Sequence, residues 1–420
     1  MSGDSCKWKK IWAICLLASF AYELPVLPIS SFDKANLRLY DLVFIWGLLL
    51  FNVRLFRPLD NKILRIWGRL VLFMGFCVAC YAFVMPLKYE VFSLYYLWKY
   101  IEGLATIRMF LLCKDYISFK TIRQIFILMG VFIAIYSLPQ AISKEDFTVE
   151  LAEGSLVTYP GGTIIGPYST TYFALAQVVP VCSLFALHKF VSSPPTIRRA
   201  VDLSVWFFVS YPAVFCGSRT ALALWLLSSV LFLIIKRKKK TLVAIVSLSF
   251  VLLFSLSLYK GEGMEELLIE NNRTLSRSAE IEEGDASSSS LSGRVEMYKS
   301  FRLDNYDYAM LLPIIGSGFY VSPCDGRYRI GYGFHNNYVF AFEQTGVIGL
   351  LLFVYFLLLV LRMSYKNRDG RIAPIILAFT AALAVVSMTG QTFWRGFGNC
   401  NANSLIVLLM CLSIYKLKTE

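Results

Sequence analysis

Histidine is almost missing from this chain: His188 and His335 are the only two in 420 residues. Any imidazole chemistry therefore rests on one of two positions. The ten cysteines form no C-x-x-C pair and no Cys/His spacing of metal-site type, which argues against a metal site or a disulfide scaffold. Most of them, including Cys15, Cys77, Cys80 and Cys411, lie inside apolar runs and read as small buried hydrophobes. Only Cys324 and Cys400 fall in loops expected on one side, where a disulfide between them stays open. No G-x-G-x-x-G opens a βαβ unit, and there is no Walker loop and no DxD-type pair for a sugar nucleotide and its metal. No metal and no cofactor are expected. Acidic residues are scarce as well, 28 against 41 basic ones, for a net charge of +13. In a soluble protein that excess would raise nucleic acid as a partner; here the distribution of the charge gives another reason for it.

Apolar residues are abundant. They make up 57% of the chain, and the mean hydropathy is +0.60, so a polytopic membrane protein is expected rather than soluble domains. Twelve spans of membrane-crossing length can be read, at 11–29, 40–56, 66–86, 91–113, 122–142, 168–188, 200–217, 219–235, 241–259, 336–361, 372–390 and 401–415. The first runs on through ELPVLPI without a small-residue cleavage site, so an uncleaved helix is expected in place of a signal peptide. With the N-terminus inside, 25 Lys and Arg fall in inner segments, 14 in outer ones, and two, Lys99 and Arg108, within the fourth span. Both termini are then cytoplasmic, and the KRKKK run at 236–240 is a topology anchor. The organisation expected is all-α: helices over 1–259, a large periplasmic loop over 260–335, and three helices over 336–420. Within that loop an acidic, serine-rich first part gives way at Gly293 to a more basic part, with a helix expected over 293–312.

Candidate chemistry gathers on the outer side. In GYGFHNNYVFAF, His335 lies where the large loop enters the tenth span, placed to accept a proton from a hydroxyl near neutral pH. Arg219 sits in CGSRTALALW at the apex of a hairpin too short to leave the membrane boundary. Arg294, in SLSGRVEMY, leaves the serine tract, and Arg395, in QTFWRGFGNCN, lies between the last two spans. Cations held where positive charge is least expected suggest an anionic group, and Arg binds phosphate oxygens in pairs without losing its proton. Blander readings stand beside these: snorkelling for Arg219, a solvated charge for Arg294, an interface anchor for Arg395, and a backbone-bonded helix terminus for His335. Lys99 and Glu102, one turn apart, read as a mutually neutralised pair. Glu343 reads as structural, His188 receives no role, and Arg108 is open between reaching the site and pairing elsewhere.

Together these segments resemble the O-antigen ligase and polymerase superfamily of bacterial membrane glycosyltransferases. His335-Asn336, nine residues, Gly346, two residues and Gly349 are similar to the ligase pattern H-[NSQ]-x9-G-x-x-[GTY]. GSRTALALW, SGRVEMY, IIGSGF at 314–319 and GPYSTTYFA at 166–174 are similar to further family segments. The resemblance implies a lipid-linked-sugar transferase type fold in the bacterial inner membrane, with the active site facing the periplasm. It implies metal-independent, inverting transfer of a glycan from undecaprenyl diphosphate to lipid A–core, or to a second lipid-linked glycan if the chain is a polymerase. Arg219 and Arg294 would hold the diphosphate, His335 would activate the acceptor, and Asn336 and Arg395 would contact substrate. A transporter or flippase is the remaining alternative; it predicts paired halves with broken helices at the midplane, and no half-to-half similarity is visible.

Overall fold

A computed structural model describes residues 2–23, 25–27, 37–51, 60–82, 84–143, 147–150, 156–159, 163–168, 172–216, 218–238, 241, 306, 310–319, 321–324, 327–330, 336–388 and 400–417. Its helices start where short polar side chains supply caps. Asn61 accepts from the Leu64 amide at 2.9 Å to open α3 (Lys62–Tyr81), and Ser118 accepts from the Thr121 amide at 3.1 Å to open α5 (Phe119–Ile142). The other long helices are α1 (Ser2–Ser19), α2 (Leu39–Phe51), α4 (Leu87–Leu112), α6 (Tyr172–Ser192), α7 (Ile197–Phe215) and α8 (Arg219–Ile235). A single turn, α9 (Leu312–Ile315), precedes α10 (Asn337–Lys366), α11 (Ala373–Val386) and α12 (Cys400–Leu412). Three short antiparallel hairpins join them: β1–β2 (Pro25–Leu27, Leu37–Arg38), β3–β4 (Phe147–Glu150, Leu156–Tyr159) and β5–β6 (Val321–Cys324, Arg327–Ile330).

This is a mostly helical membrane protein. Among the described residues, α3, α5, the Ala174–Ser192 part of α6 and α10 are long and apolar enough to cross a bilayer, while α2, α8, α11 and α12 are shorter apolar helices. α6 is the central post. Its side chains from Ala174 to Leu187 are buried all round, against α5, α7, α8, α11 and α12.

Helix ends sort into two sets. At one end, Asn61 before α3 donates to the Cys411 carbonyl of α12 at 3.1 Å, and Ser364 of α10 bonds Ser413 at 3.0 Å. Phe119 at the start of α5 packs on His188 near the end of α6, which faces Phe232 near the end of α8. Arg371, just before α11, lies over the same Phe119 ring, and Lys189 pairs with Asp202 in the first turns of α7 at 2.8 Å. At the other end, Phe20 packs on Tyr40 as α1 meets α2, and Tyr81 of α3 donates to the Gly316 carbonyl at 2.6 Å. The Asn337 amide there donates to the Ser387 carbonyl at 2.9 Å, joining the start of α10 to the end of α11. The first set, the Asn61 end, takes in the segments expected inside; the second, the Asn336 end, takes in those expected outside.

Several expectations need correction. α1 stops at Ser19 and does not continue through ELPVLPI, because prolines 25 and 28 lack the amide donor a helix needs; Pro25–Leu27 pairs instead with Leu37–Arg38. Tyr306, inside the helix expected over 293–312, lies in a β-bridge, and among the described residues of that stretch helix is reached only at Leu312, the start of Leu312–Ile315; the rest of it, 293–305 and 307–309, lies outside the described residues. Cys80 is exposed, although Cys77 and Cys411 are buried as expected. Lys99 is not simply paired with Glu102: its ammonium donates to Glu102 at 2.8 Å and also to Asp41 in the first turn of α2, making a buried triad. The span expected over 241–259 and the side chains of Cys324 and Cys400 lie outside the described residues.

Candidate functional site

At the start of α10 two adjacent asparagines do different work. Asn336 is the N-cap: its amide oxygen accepts from the Tyr338 and Val339 amides at 2.9 and 3.1 Å, and its Nδ2 donates to the Met388 carbonyl at 2.9 Å. Asn337 is fully buried and donates through Nδ2 to the Ser387 hydroxyl at 2.8 Å, beside its backbone bond to the same residue. Tyr338 then donates to the Ala384 carbonyl at 2.8 Å. Three consecutive residues thus bind the first turn of α10 to the last turn of α11. His335 is the residue immediately before this anchor in the chain.

Ten residues on, α10 breaks. Gly346 has φ 63° and ψ −167°, a conformation that side chains other than glycine's hardly adopt. A Cβ there would lie 2.3 Å from the Ile314 carbonyl oxygen, and one on Gly316 (φ 78°) would lie 2.4 Å from the Gln344 and Thr345 backbone. The break and the 314–319 loop are therefore interlocked backbone to backbone. The Glu343 carbonyl, freed from the helix ladder near the break, accepts from the Ser317 amide at 2.7 Å and its hydroxyl at 3.0 Å. Below it, the Glu343 carboxylate is buried and accepts from the Tyr306 hydroxyl at 3.3 Å. Gly349 has another cause: a Cβ would fall 1.8 Å from Thr345 Oγ1, which donates to the Ala341 carbonyl. Residues 337–345 consequently form a short half-helix, held by α11 on one side and by the glycine-rich loop, itself fastened to α3, on the other.

Arg219 is the first residue of α8, after a three-residue turn from α7 that ends in Ser218, whose hydroxyl caps the Ala221 amide at 3.3 Å. It is half-buried. A cation at a helix N-terminus opposes the helix dipole, so helix formation gives no reason for it. Because Phe232, near the end of α8, packs on His188, which packs on Phe119, the start of α8 lies at the opposite end of the bundle, the Asn336 end. α11 packs against both α8 and α10.

Of the residues the sequence singled out, the structure brings Arg219 and Asn336 to one end. His335, Arg294 and Arg395 lie outside the described residues. Among those described, no group of three or more His, Cys, Asp or Glu side chains is placed to hold a metal ion. Sequence reasoning missed Asn337 as an anchor, although its repetition beside Asn336 was visible. It gave no physical reason for Gly346, whose partner loop lies some thirty residues upstream.

A helical membrane protein with an interlocked half-helix and a cation-headed helix at one end defines a class, and comparison with known proteins narrows it. Residues 204–354 match the family model described as O-antigen ligase, which bears out the resemblance read from the residues. The matched stretch runs from α7 to just past Gly349 and includes Arg219, Arg294, His335 and Asn336; Arg395 falls outside it. No curated protein matches the chain. The match implies a membrane glycosyltransferase of ligase or polymerase type, acting on lipid-linked glycans.

Proposed function

We propose that this protein transfers a glycan from undecaprenyl diphosphate to lipid A–core at the periplasmic face of a bacterial inner membrane. The Asn336 end is then periplasmic, both termini are cytoplasmic, and twelve spans carry residues 260–335 as the large outer loop. Arg219 and Arg294 hold the donor diphosphate, His335 takes the proton from the acceptor hydroxyl, and Asn336 fixes the backbone that presents it, with Arg395 on the substrate side. The leaving diphosphate needs no metal and no acid if its growing charge meets fixed guanidinium donors in a poorly hydrated site, an effect worth about 3–4 kcal/mol per donor in comparable oxyanion sites. A general base adds about 10²–10⁴-fold. Attack from the face opposite the diphosphate inverts the anomeric centre.

The observation that carries this reading is that Arg219 heads its helix at the same end of the bundle as the Asn336–Asn337 anchor. The match to a family described as O-antigen ligase supports a transferase of ligase or polymerase type, and the ligase reading rests on the His335-Asn336…Gly346…Gly349 pattern. In a deletion strain complemented with His335→Ala, glycan attachment should be lost while the protein stays in the membrane at normal level. Normal attachment would discard the role. Loss of the gene should leave bare core with lipid-linked glycan accumulating; single repeat units on the surface would point to the polymerase.

A further inference from the structure

The Asn61 end, far from the proposed transfer site, holds a second concentration of positive charge. Between the turn joining α10 to α11 and the end of α12 lies a cavity of about 510 Å³, lined by Lys366, Arg371, Lys416, Asp369, Ser413 and Tyr415 among others. None of its three cations is paired with a carboxylate among the described residues. Asp369, the acid in the lining, also lies within electrostatic reach of Lys236, and leaves the lining with three cations to one acid. α11 starts at the cavity wall, at Ala373.

Arg371 links the cavity to a further cluster. Its guanidinium stands 5.9 Å from the centre of the Phe119 ring, and Arg123 stands 5.8 Å from the same ring. The two repel one another, Asp202, itself paired with Lys189, offsets this in part, and Arg123 Nε is buried with no hydrogen-bond acceptor. Crowded cations with unspent donors are costly without a counter-charge. A topology signal needs basic residues on one side but does not need them to converge on one cavity.

An exposed apolar face of α10 leads to the cavity. Leu351, Tyr355, Leu358 and Tyr365 are 61%, 52%, 58% and 57% exposed and fall on a single face of α10, running down to Lys366 at the cavity wall. An apolar track that ends at unpaired cations suits a ligand with an acyl chain and an anionic head. We propose that this cavity binds the phosphate headgroup of an anionic phospholipid, its chain lying along α10, on the face of the membrane opposite the transfer site.

The test uses the full-length protein in nanodiscs. Retention of phosphatidylglycerol is compared with phosphatidylcholine for the wild type, for the triple variant Lys366→Gln/Arg371→Gln/Lys416→Gln, and for a control of equal charge loss, Lys238→Gln/Lys239→Gln/Lys240→Gln. The wild type and control should retain phosphatidylglycerol selectively, and the triple variant should bind it at least roughly tenfold more weakly, since each basic residue near an anionic lipid contributes separately. The single variant Lys416→Gln, at an exposed position, should show a partial loss and guards against misfolding of the triple variant. Equal retention by all variants would overturn the site, and an equal loss in the control would reduce it to bulk charge. Inorganic phosphate added to detergent-solubilised protein should not displace the lipid; full displacement would make the ligand a soluble anion and overturn the lipid.

Discussion

Gly346 shows how much one missing Cβ can decide. Its backbone sits in a region costing other residues about 1–3 kcal/mol, and the Ile314 carbonyl fills the space a methyl would need. Gly346→Ala should therefore lower stability by about 2 kcal/mol or more, read as a fall in the thermal transition of the detergent-purified protein; an unchanged transition would refute the interlock. Lys99 is a second such position. With Asp41 and Glu102 both on its ammonium and only a tenth of its side chain exposed, Lys99→Met would strand two carboxylates. Removing one member of a buried ion cluster costs about 3–5 kcal/mol, so the variant should fail to accumulate in membranes. Half of this triad was legible, because Glu102 follows Lys99 by three residues; Asp41, 58 residues away, lies beyond any local pattern.

Among the elements, helix existence was far easier to read than helix limits. Apolar length revealed α3, α5, α6 and α10, since lipid demands a self-satisfied backbone over a fixed thickness. The end of α1 was misjudged because ELPVLPI is apolar enough to prolong a span, while its prolines disqualify it from a helix. The break in α10 was not foreseen either: a lone glycine in a helix reads as a small propensity cost unless its tertiary partner is known. The joint between α10 and α11 makes its own prediction. Asn337→Ala and Ser387→Ala should each destabilise, and together by less than their sum, with a coupling of about 0.5–3 kcal/mol. Strict additivity in denaturation would mean that their 2.8 Å bond contributes nothing.

At the scale of the whole molecule, the basic residues of the inner segments and the sorting of helix ends agree, though they come from unrelated physics. One is a charge rule acting on insertion and the other is packing. Of the candidate site, the helix-heading cation was legible because it lies at an element boundary, where composition changes abruptly; Asn336 was read only as a substrate contact, and its work as a cap appears with the structure. The convergence of α8, α10 and α11 was not, being a matter of tertiary neighbours. The sidedness can be checked directly. Ser143→Cys, at the end of α5, should react with a membrane-impermeant maleimide in intact cells above the native-cysteine background. Thr196→Cys, just before α7, should react only after lysis. The reverse order would turn the protein over and put the transfer site on the wrong side for its donor.

The discontinuity in α10 also separates two mechanical regimes. Below Gly346 the shaft packs one face on α3, through Phe356 and Trp67, and leaves the other exposed to follow the tilt and thickness of the bilayer; above it, a two-turn splint is bolted to α11 and to the glycine loop. Compression or swelling of the bilayer would therefore bend the joint before it displaced the start of α10, insulating that end from the fluid mechanics of the membrane.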